Sequence, residues 1–296
     1  MIYSVGQIVF DYIFHVRNFP KTNSTTYIQS YDGFFGGAAG NFAVVCSKLG
    51  EKASVVSFVG DDFKNSAYEK HLKKQEVDLT NLKVVEGERT ARAFMFNDSK
   101  GRQSSFFFWG AASRFQNAPI PYLKLREGDV VHLANGSPEF NIRFASKYPG
   151  VSFDPGYDIV AYGRKEIQEI LEKTTFLSCN EFELRKIMRL VGVREAAELF
   201  SFPLQFIVVT KGRRGSSVIT PNERFDVPAV KGELVDPTGA GDSYRAAFLT
   251  AFLRGESLER CARIASAVAS FVIEKHGAQT NIPTWKQALA KLNSSA

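Results

Sequence analysis

Short apolar runs and longer stretches with one apolar face follow one another for most of the 296-residue chain. That alternation is the pattern of a sheet containing parallel strands with helices on its faces. Residues Ile2 to Val9 read as a first strand, Asn41 to Leu49 as a helix ended by Gly50, Ala53 to Val59 as a strand and Lys64 to Lys74 as a helix with a polar face. Val130 to Ala134, Val151 to Phe153, Phe176 to Ser178 and Phe206 to Thr210 are the brief apolar runs of buried central strands. Helices are expected at 165–173 and 181–190, and the last third reads as helical apart from two or three strands, with helices over 239–254, 258–275 and 284–292 and a frayed end at 293–296.

Two segments depart from this rhythm. Residues 13–31 are polar and rich in Thr and Ser. Residues 93–109 place Phe94 and Phe96 on one face, turn through Asn97-Asp98-Ser99-Lys100-Gly101, then place Phe106 and Phe108 on one face again. Together they predict a small sheet beside the main body, either a lid over a ligand or a dimer contact. The chain is expected to form a single domain, 1–296, carrying these two lid segments.

Composition narrows the class. A hydrophobic fraction of 44% is enough for a sizeable core. The formal charge of +6 suits anionic ligands such as nucleotides, but the Lys and Arg residues are scattered, so no nucleic-acid partner is expected. No apolar stretch approaches the roughly 18 residues a membrane span needs. Cys46, Cys179 and Cys261 lie far apart among apolar or small residues and read as reduced and interior, hence a cytoplasmic location. The four histidines share no spacing that suggests a metal site.

The most informative stretch is Val235-Asp236-Pro237-Thr238-Gly239-Ala240-Gly241-Asp242, a strand end and a small-residue turn that open a helix. Helix N-termini carry unpaired amides and partial positive charge, so Gly239, Ala240 and Gly241 can close on a phosphate as an anion hole. An aspartate there, Asp242, suits a base that takes the proton of an attacking hydroxyl. The plainer alternative is a helix-start residue stabilised by the dipole.

This string resembles the second signature of the ribokinase-like, or PfkB, family of carbohydrate and nucleoside kinases. Gly36-Gly37-Ala38-Ala39-Gly40-Asn41, followed by Gly50 and Gly60, resembles the first. The resemblance runs from residue 2 to about 285 and implies an α/β, ribokinase-like fold: a mostly parallel sheet between helices, plus a small β lid. It implies Asp242 as catalytic base, with Asp11, Gly36, Gly37 and Asn41 on the acceptor. Asn180, Thr210, Gly212, Gly277 and Ala278 would meet ATP. Glu183, in Asn180-Glu181-Phe182-Glu183, would organise Mg²⁺ through water, and Asp236 and Thr238 would lie at a monovalent-cation site, for K⁺. Asn281 stands there where a serine is common.

Finer strings, among them Asp62-Phe63-Lys64-Asn65-Ser66, Ser152-Phe153-Asp154-Pro155-Gly156 and Gln279-Thr280-Asn281-Ile282-Pro283-Thr284-Trp285, resemble the archaeal nucleoside kinases of the family. The implied activity is transfer of the ATP γ-phosphate to the 5′-hydroxyl of nucleosides, with Phe106 and Phe108 of the lid stacking on the base, in a homodimer joined through the lid. A sugar or sugar-phosphate kinase is the alternative, with Arg89, Arg92 and Arg102 as the cations it would need, and a non-catalytic nucleotide sensor is a third. Asp154 and Asp158 are further candidates for the cleft wall.

Overall fold

The structure is a computed structural model and describes residues 1–294. Its frame is a nine-stranded sheet built from β1 (Ile2–Val5), β4 (Ala53–Gly60), β5 (Leu82–Val85), β8 (Val130–Leu133), β9 (Val151–Phe153), β10 (Thr174–Asn180), β11 (Phe206–Thr210), β12 (Ser216–Ile219) and β13 (Arg224–Val227). The order across the sheet is β13-β12-β11-β10-β9-β8-β1-β4-β5. Strands β5 to β11 pair in parallel, and the β12–β13 hairpin closes one edge antiparallel. Strands β1, β4 and β8 are buried at every position, as expected where helices cover both faces.

One face is covered by α1 (Ala38–Lys48), α2 (Ala67–Lys74), α6 (Ala240–Leu253), α7 (Leu258–Val272) and α8 (Trp285–Ser294). Their core includes Phe42, Tyr68, Ala247 and Ala265. The other is covered by α3 (Pro138–Lys147), α4 (Arg164–Leu171) and α5 (Glu181–Val191), around Phe140, Phe144, Ile167 and Ile187. Each fully buried aliphatic or aromatic side chain contributes about 1.5–3 kcal/mol. Of the histidines, His132 is a core residue: its ring stacks on Phe42 at 3.8 Å, and burial pushes its pKa down to about 3, so it stays neutral. The three cysteines are free and buried. No helix among the described residues is long and apolar enough to cross a membrane.

The expected first strand, 2–9, is broken in two. Gly6 has φ +148°, and a Cβ there would lie 2.9 Å from the carbonyl oxygen of Asn135, so the chain turns out of the sheet after Val5. It re-enters a second sheet as β2 (Val9–Val16), joined by β3 (Ile28–Gly36), β6 (Ala91–Asp98) and β7 (Gln103–Phe108) in the order β3-β2-β6-β7. The lid therefore begins four residues earlier than the polar composition suggested, and residues 17–27 connect its strands. Helix α3 was not expected from the sequence, and the β12–β13 hairpin gives a place to strands expected in the last third without bounds. The expected frayed end is helical to Ser294, while Ser295 and Ala296 lie outside the described residues.

Candidate active site

After β1 the chain adds β4 and β5 on one side, then crosses to place β8 on the other. Ligands of open α/β sheets bind where the strand order reverses in this way, beyond the carboxyl ends of the strands. The residues singled out in the sequence gather at that edge. Asp154 follows β9 directly, Asn180 ends β10, and Thr210 ends β11 beside it as its register partner. Asp11 leaves on β2, and the N-terminus of α6 points at the same cleft through Asp242.

The start of α6 is shaped by a glycine. Gly239 has φ +77°, and a Cβ there would collide with Ala278, so the turn and the 277–278 loop pack backbone to backbone. Asp236 fastens that contact. One of its oxygens accepts from the Thr238 amide and the other from the Gly277 amide, both at 2.9 Å. Ser243 is the first residue of α6 whose N–H closes back, onto the Gly239 carbonyl at 2.9 Å. Ala240, expected in the anion hole, donates instead to the Pro237 carbonyl at 3.1 Å. Among the described residues no protein group accepts from the N–H groups of Gly239, Gly241 or Asp242, and these are the donors left for an anion. The free amides are therefore not three in a row, because the tight turn uses up that of Ala240 and leaves those of Gly239, Gly241 and Asp242.

Asp242 is largely buried, and burial raises its pKa against the opposing pulls of Arg245 and the Asn41 hydrogen bond. Asn41 Nδ2 donates to its Oδ2 at 2.8 Å. Asn41 Oδ1 in turn accepts from Gln279 Nε2 at 2.9 Å, which also donates to the Tyr68 hydroxyl at 2.7 Å, and that hydroxyl donates to the Gly36 carbonyl at 2.7 Å. Asp242 is thus held by a buried chain reaching the turn where β3 becomes α1. The tight Gly36-Gly37 pair is sterically required. A Cβ on Gly36 would strike the Asp11 carboxylate, and one on Gly37, at φ +89°, would lie 2.7 Å from the Val9 amide.

Asp11 is 8% exposed, and among the described residues no side chain donates to it. Burial, with Asp242 and Asp236 nearby, pushes its pKa up to about 7. A buried acceptor without a donor is costly to keep, and it is well suited to receive hydroxyl groups of a bound molecule.

The Asn-x-x-Glu string proves to be a capping box at α5. Asn180 Oδ1 accepts from the Phe182 and Glu183 amides, while the Glu183 carboxylate accepts from the Asn180 backbone and side-chain amides at 2.7 Å. Asp154, Glu183 and Asp242 converge on one buried cation, Arg245, with Asp11 close by. That excess of negative charge fits a divalent cation carried in by phosphates. No group of three or more acids, His or Cys among the described residues is placed to hold an ion unaided. The fit to a monovalent cation is poorer, since both Asp236 oxygens already accept amides and Asn281 donates to the Phe271 carbonyl.

The lid corrects one expectation. In the strand register Asp11 lies beside Phe34 and Ala93, and Ala93 beside Phe107, so Phe107 shares the cleft face with Asp11. Phe106 and Phe108 pair with Phe94 and Arg92 on the opposite face and do not line the cleft. Alternation correctly placed the aromatics on a common face, but which face looks inward is decided by the docking of β2. Phe34 was missed as well; it closes on Gly277, where any Cβ would meet its ring. Tyr68 and Arg245 were given no role from sequence. Arg245 carried a usable signal, since it stands three residues after Asp242 and so on the same helix face. A cavity of about 390 Å³ lies beside this network, lined in part by Phe35, His71, Lys74, Gln279 and Thr280, and Asp242 is not among its walls.

An ionisable acid beside free helix-terminal amides, facing an unpaired carboxylate across a lidded cleft, defines a phosphotransferase that acts on a hydroxyl group. Comparison with known proteins agrees. Residues 1–285 match the model of the pfkB family of carbohydrate kinases, and the chain belongs to that family. It is 41% identical over 292 residues to a nucleoside kinase of Methanocaldococcus jannaschii, covering 97% of this chain and 95% of that one. A nucleoside kinase of Methanothermobacter thermautotrophicus is 40% identical, with 98% and 95% covered. The crystal structure of the M. jannaschii nucleoside kinase superposes with a TM-score of 0.95 over 99% of this chain and 98% of that one. A ribokinase from Thermotoga maritima superposes with a TM-score of 0.85 at 26% identity, over 99% of both.

Proposed function

We propose that this enzyme transfers the γ-phosphate of ATP to the 5′-hydroxyl of nucleosides. The observation that carries the transfer is Asp242 itself, beside the unpaired amides of Gly239 and Gly241 and opposite Asp11. The ribose hydroxyls bind to Asp11 and Asn41, with Gly36 and Gly37 keeping the backbone close. Asp242 takes the proton of the attacking hydroxyl, and the α6 amides stabilise charge on the phosphoryl oxygens. Asn180, Thr210, Gly212, Gly277 and Ala278 line the donor side. Mg²⁺ supplies charge neutralisation at the phosphates, and Glu183 is the residue that would hold its water shell.

The choice of nucleoside rests on the relatives, two of which are nucleoside kinases at 40–41% identity over nearly their whole length. Pocket chemistry supports it. Arg92 pairs with Asp62 and Arg102 with Asp98, so two of the three cations that a sugar-phosphate acceptor would need are already committed. Phe34 and Phe107 on the cleft face of the lid offer a base apolar contact. The test is a substrate panel with coupled ADP detection. Turnover of inosine, guanosine, cytidine or adenosine well above that of ribose and fructose 6-phosphate is expected, and the reverse order overturns the substrate class.

The outer face of the lid carries two aromatic rows in register, Tyr31-Phe14-Phe96 and Tyr12-Phe94-Phe106, with Tyr31–Phe14, Phe14–Phe96 and Tyr12–Phe94 stacked at centroid distances of 4.7–5.7 Å and Phe106 meeting Phe96 edge-on at 5.9 Å. Tyr31 and Phe106 are more than 60% exposed. A second copy of the chain covering this face, lid on lid, is the homodimer we propose. The three unpaired thiols support a reducing, cytoplasmic location.

A further inference from the structure

Arg245 is buried on α6, one turn after the base, and reaches three acids from three different elements. Its Nε lies 2.9 Å from Asp154 Oδ2 at the end of β9. Its Nη2 lies 3.6 Å from Glu183 Oε2 on α5, and its Nη1 3.8 Å from Asp242 Oδ1. Only 8% of the side chain is exposed, against 2% for Asp154 and 6% for Glu183. The path of the guanidinium is built into the turn, since a Cβ on Gly241 would stand 2.6 Å from Nη1. Gly241 therefore has two tasks, leaving its amide free for an anion and leaving room for the cation behind it.

A buried ion cluster of this kind is a poor device for stability, because desolvating several charges offsets most of their attraction. Its position suggests another use. Asp242 belongs to the acceptor side and Glu183 to the donor side, and without a cation between them the acids would repel one another and move apart.

We propose that Arg245 is a positioning residue for the phosphoryl transfer, a clamp that holds the base Asp242 and the donor-side Glu183 in one frame and is itself anchored on Asp154. This rests on the reading of Asp242 as the base. The groups facing Asp242 are Arg245 on its own helix, the Asn41 amide on α1 and Asp11 on β2, with Asp154 beyond the guanidinium. Those facing Arg245 also include Glu183 and Cys179, with His132 neutral behind them. Arg245 is the one cation of the set, so its loss makes the base harder to ionise. A base must be deprotonated to act, so the acid limb of the turnover profile moves to higher pH.

The experiment compares Arg245→Lys, Arg245→Gln and the double variant Arg245→Gln/Asp154→Asn by thermal melting, kcat, KM for nucleoside and ATP, and the pH profile of kcat. Arg245→Gln should lower kcat by about 30-fold or more with nucleoside KM within about threefold, and shift the acid limb upward by about one unit. Arg245→Lys, which keeps the charge but not the fork, should recover at least about tenfold over Gln and bring the limb back. The double variant removes the cation together with its nearest acid, so it keeps a folded protein available should Gln alone leave Asp154 too exposed to repulsion, and it should show the same shift. A folded Gln or double variant with near-normal turnover and an unmoved limb overturns the clamp. So does a loss of turnover with an unmoved limb and no recovery by Lys, which marks a packing role. Asp242→Asn measured alongside separates the two readings: normal turnover there removes the base assignment and the clamp with it, whereas an inactive Asp242→Asn beside an indifferent Arg245 removes only the clamp.

Discussion

Asp242 and Asp11 are two carboxylates in one cleft whose surroundings differ, and the difference separates their roles. Asp242 receives the Asn41 amide and stands near Arg245, and both favour its ionised form against the burial that raises its pKa. Asp242→Asn keeps the shape and removes the proton acceptor, so kcat should fall on the order of 10³-fold while nucleoside affinity, measured by calorimetry, stays within a few-fold. Asp11 has no such support, and its pKa is raised from 3.8 to about 7. The folded state therefore holds this proton more tightly than the unfolded chain, and stability falls as pH rises from about 4 to about 7. Above that range the penalty is on the order of 4 kcal/mol. Asp11→Asn should thus melt higher than the parent at pH 8, with the gain fading toward pH 4, while losing nucleoside affinity. A melting point that is lower at pH 8 would show that the carboxylate is not strained by its burial.

At the scale of elements, the helix caps and the lid register carry the function. The sequence made Asn180 to Glu183 legible as a motif, and the structure explains it physically as a reciprocal cap that fixes the Glu183 carboxylate at the mouth of α5. The lid strands were legible by alternation, but a period of two leaves the choice of inward face open. The observed register gives that choice a consequence: Phe107→Ala should raise nucleoside KM by about tenfold at unchanged ATP KM, whereas Phe106→Ser and Phe108→Ser should leave both within about twofold. If Phe106→Ser and Phe108→Ser raise KM and Phe107→Ala does not, the register-based assignment of faces is wrong. Helix α3 carries a start signal in Ser137, Pro138 and Glu139 that was passed over, and the two four-residue strands of the β12–β13 hairpin carry too little periodic signal to be placed.

For the molecule as a whole, the lid's outer aromatic face is an apolar surface that one chain leaves exposed. Placing a charge in it, as in Phe14→Glu, should convert a dimer to monomer by light scattering on a sizing column, because two such faces cannot pack around an unpaired carboxylate. A parent that already elutes as a monomer at micromolar concentration would remove the second copy from the account.

The sequence by itself determined the alternation of strand and helix, the glycine turns that only glycine can make, and the two long motifs that identify the family. These are local properties, decided by periodicity and by backbone sterics. Only the tertiary structure decided that the first strand breaks at Gly6, that Ala240 spends its amide on the turn, which lid face looks inward, and that Arg245, Asp154 and Glu183 meet. Each of those depends on groups from elements distant in sequence competing for the same space or the same hydrogen bond, and no window along the chain contains both competitors.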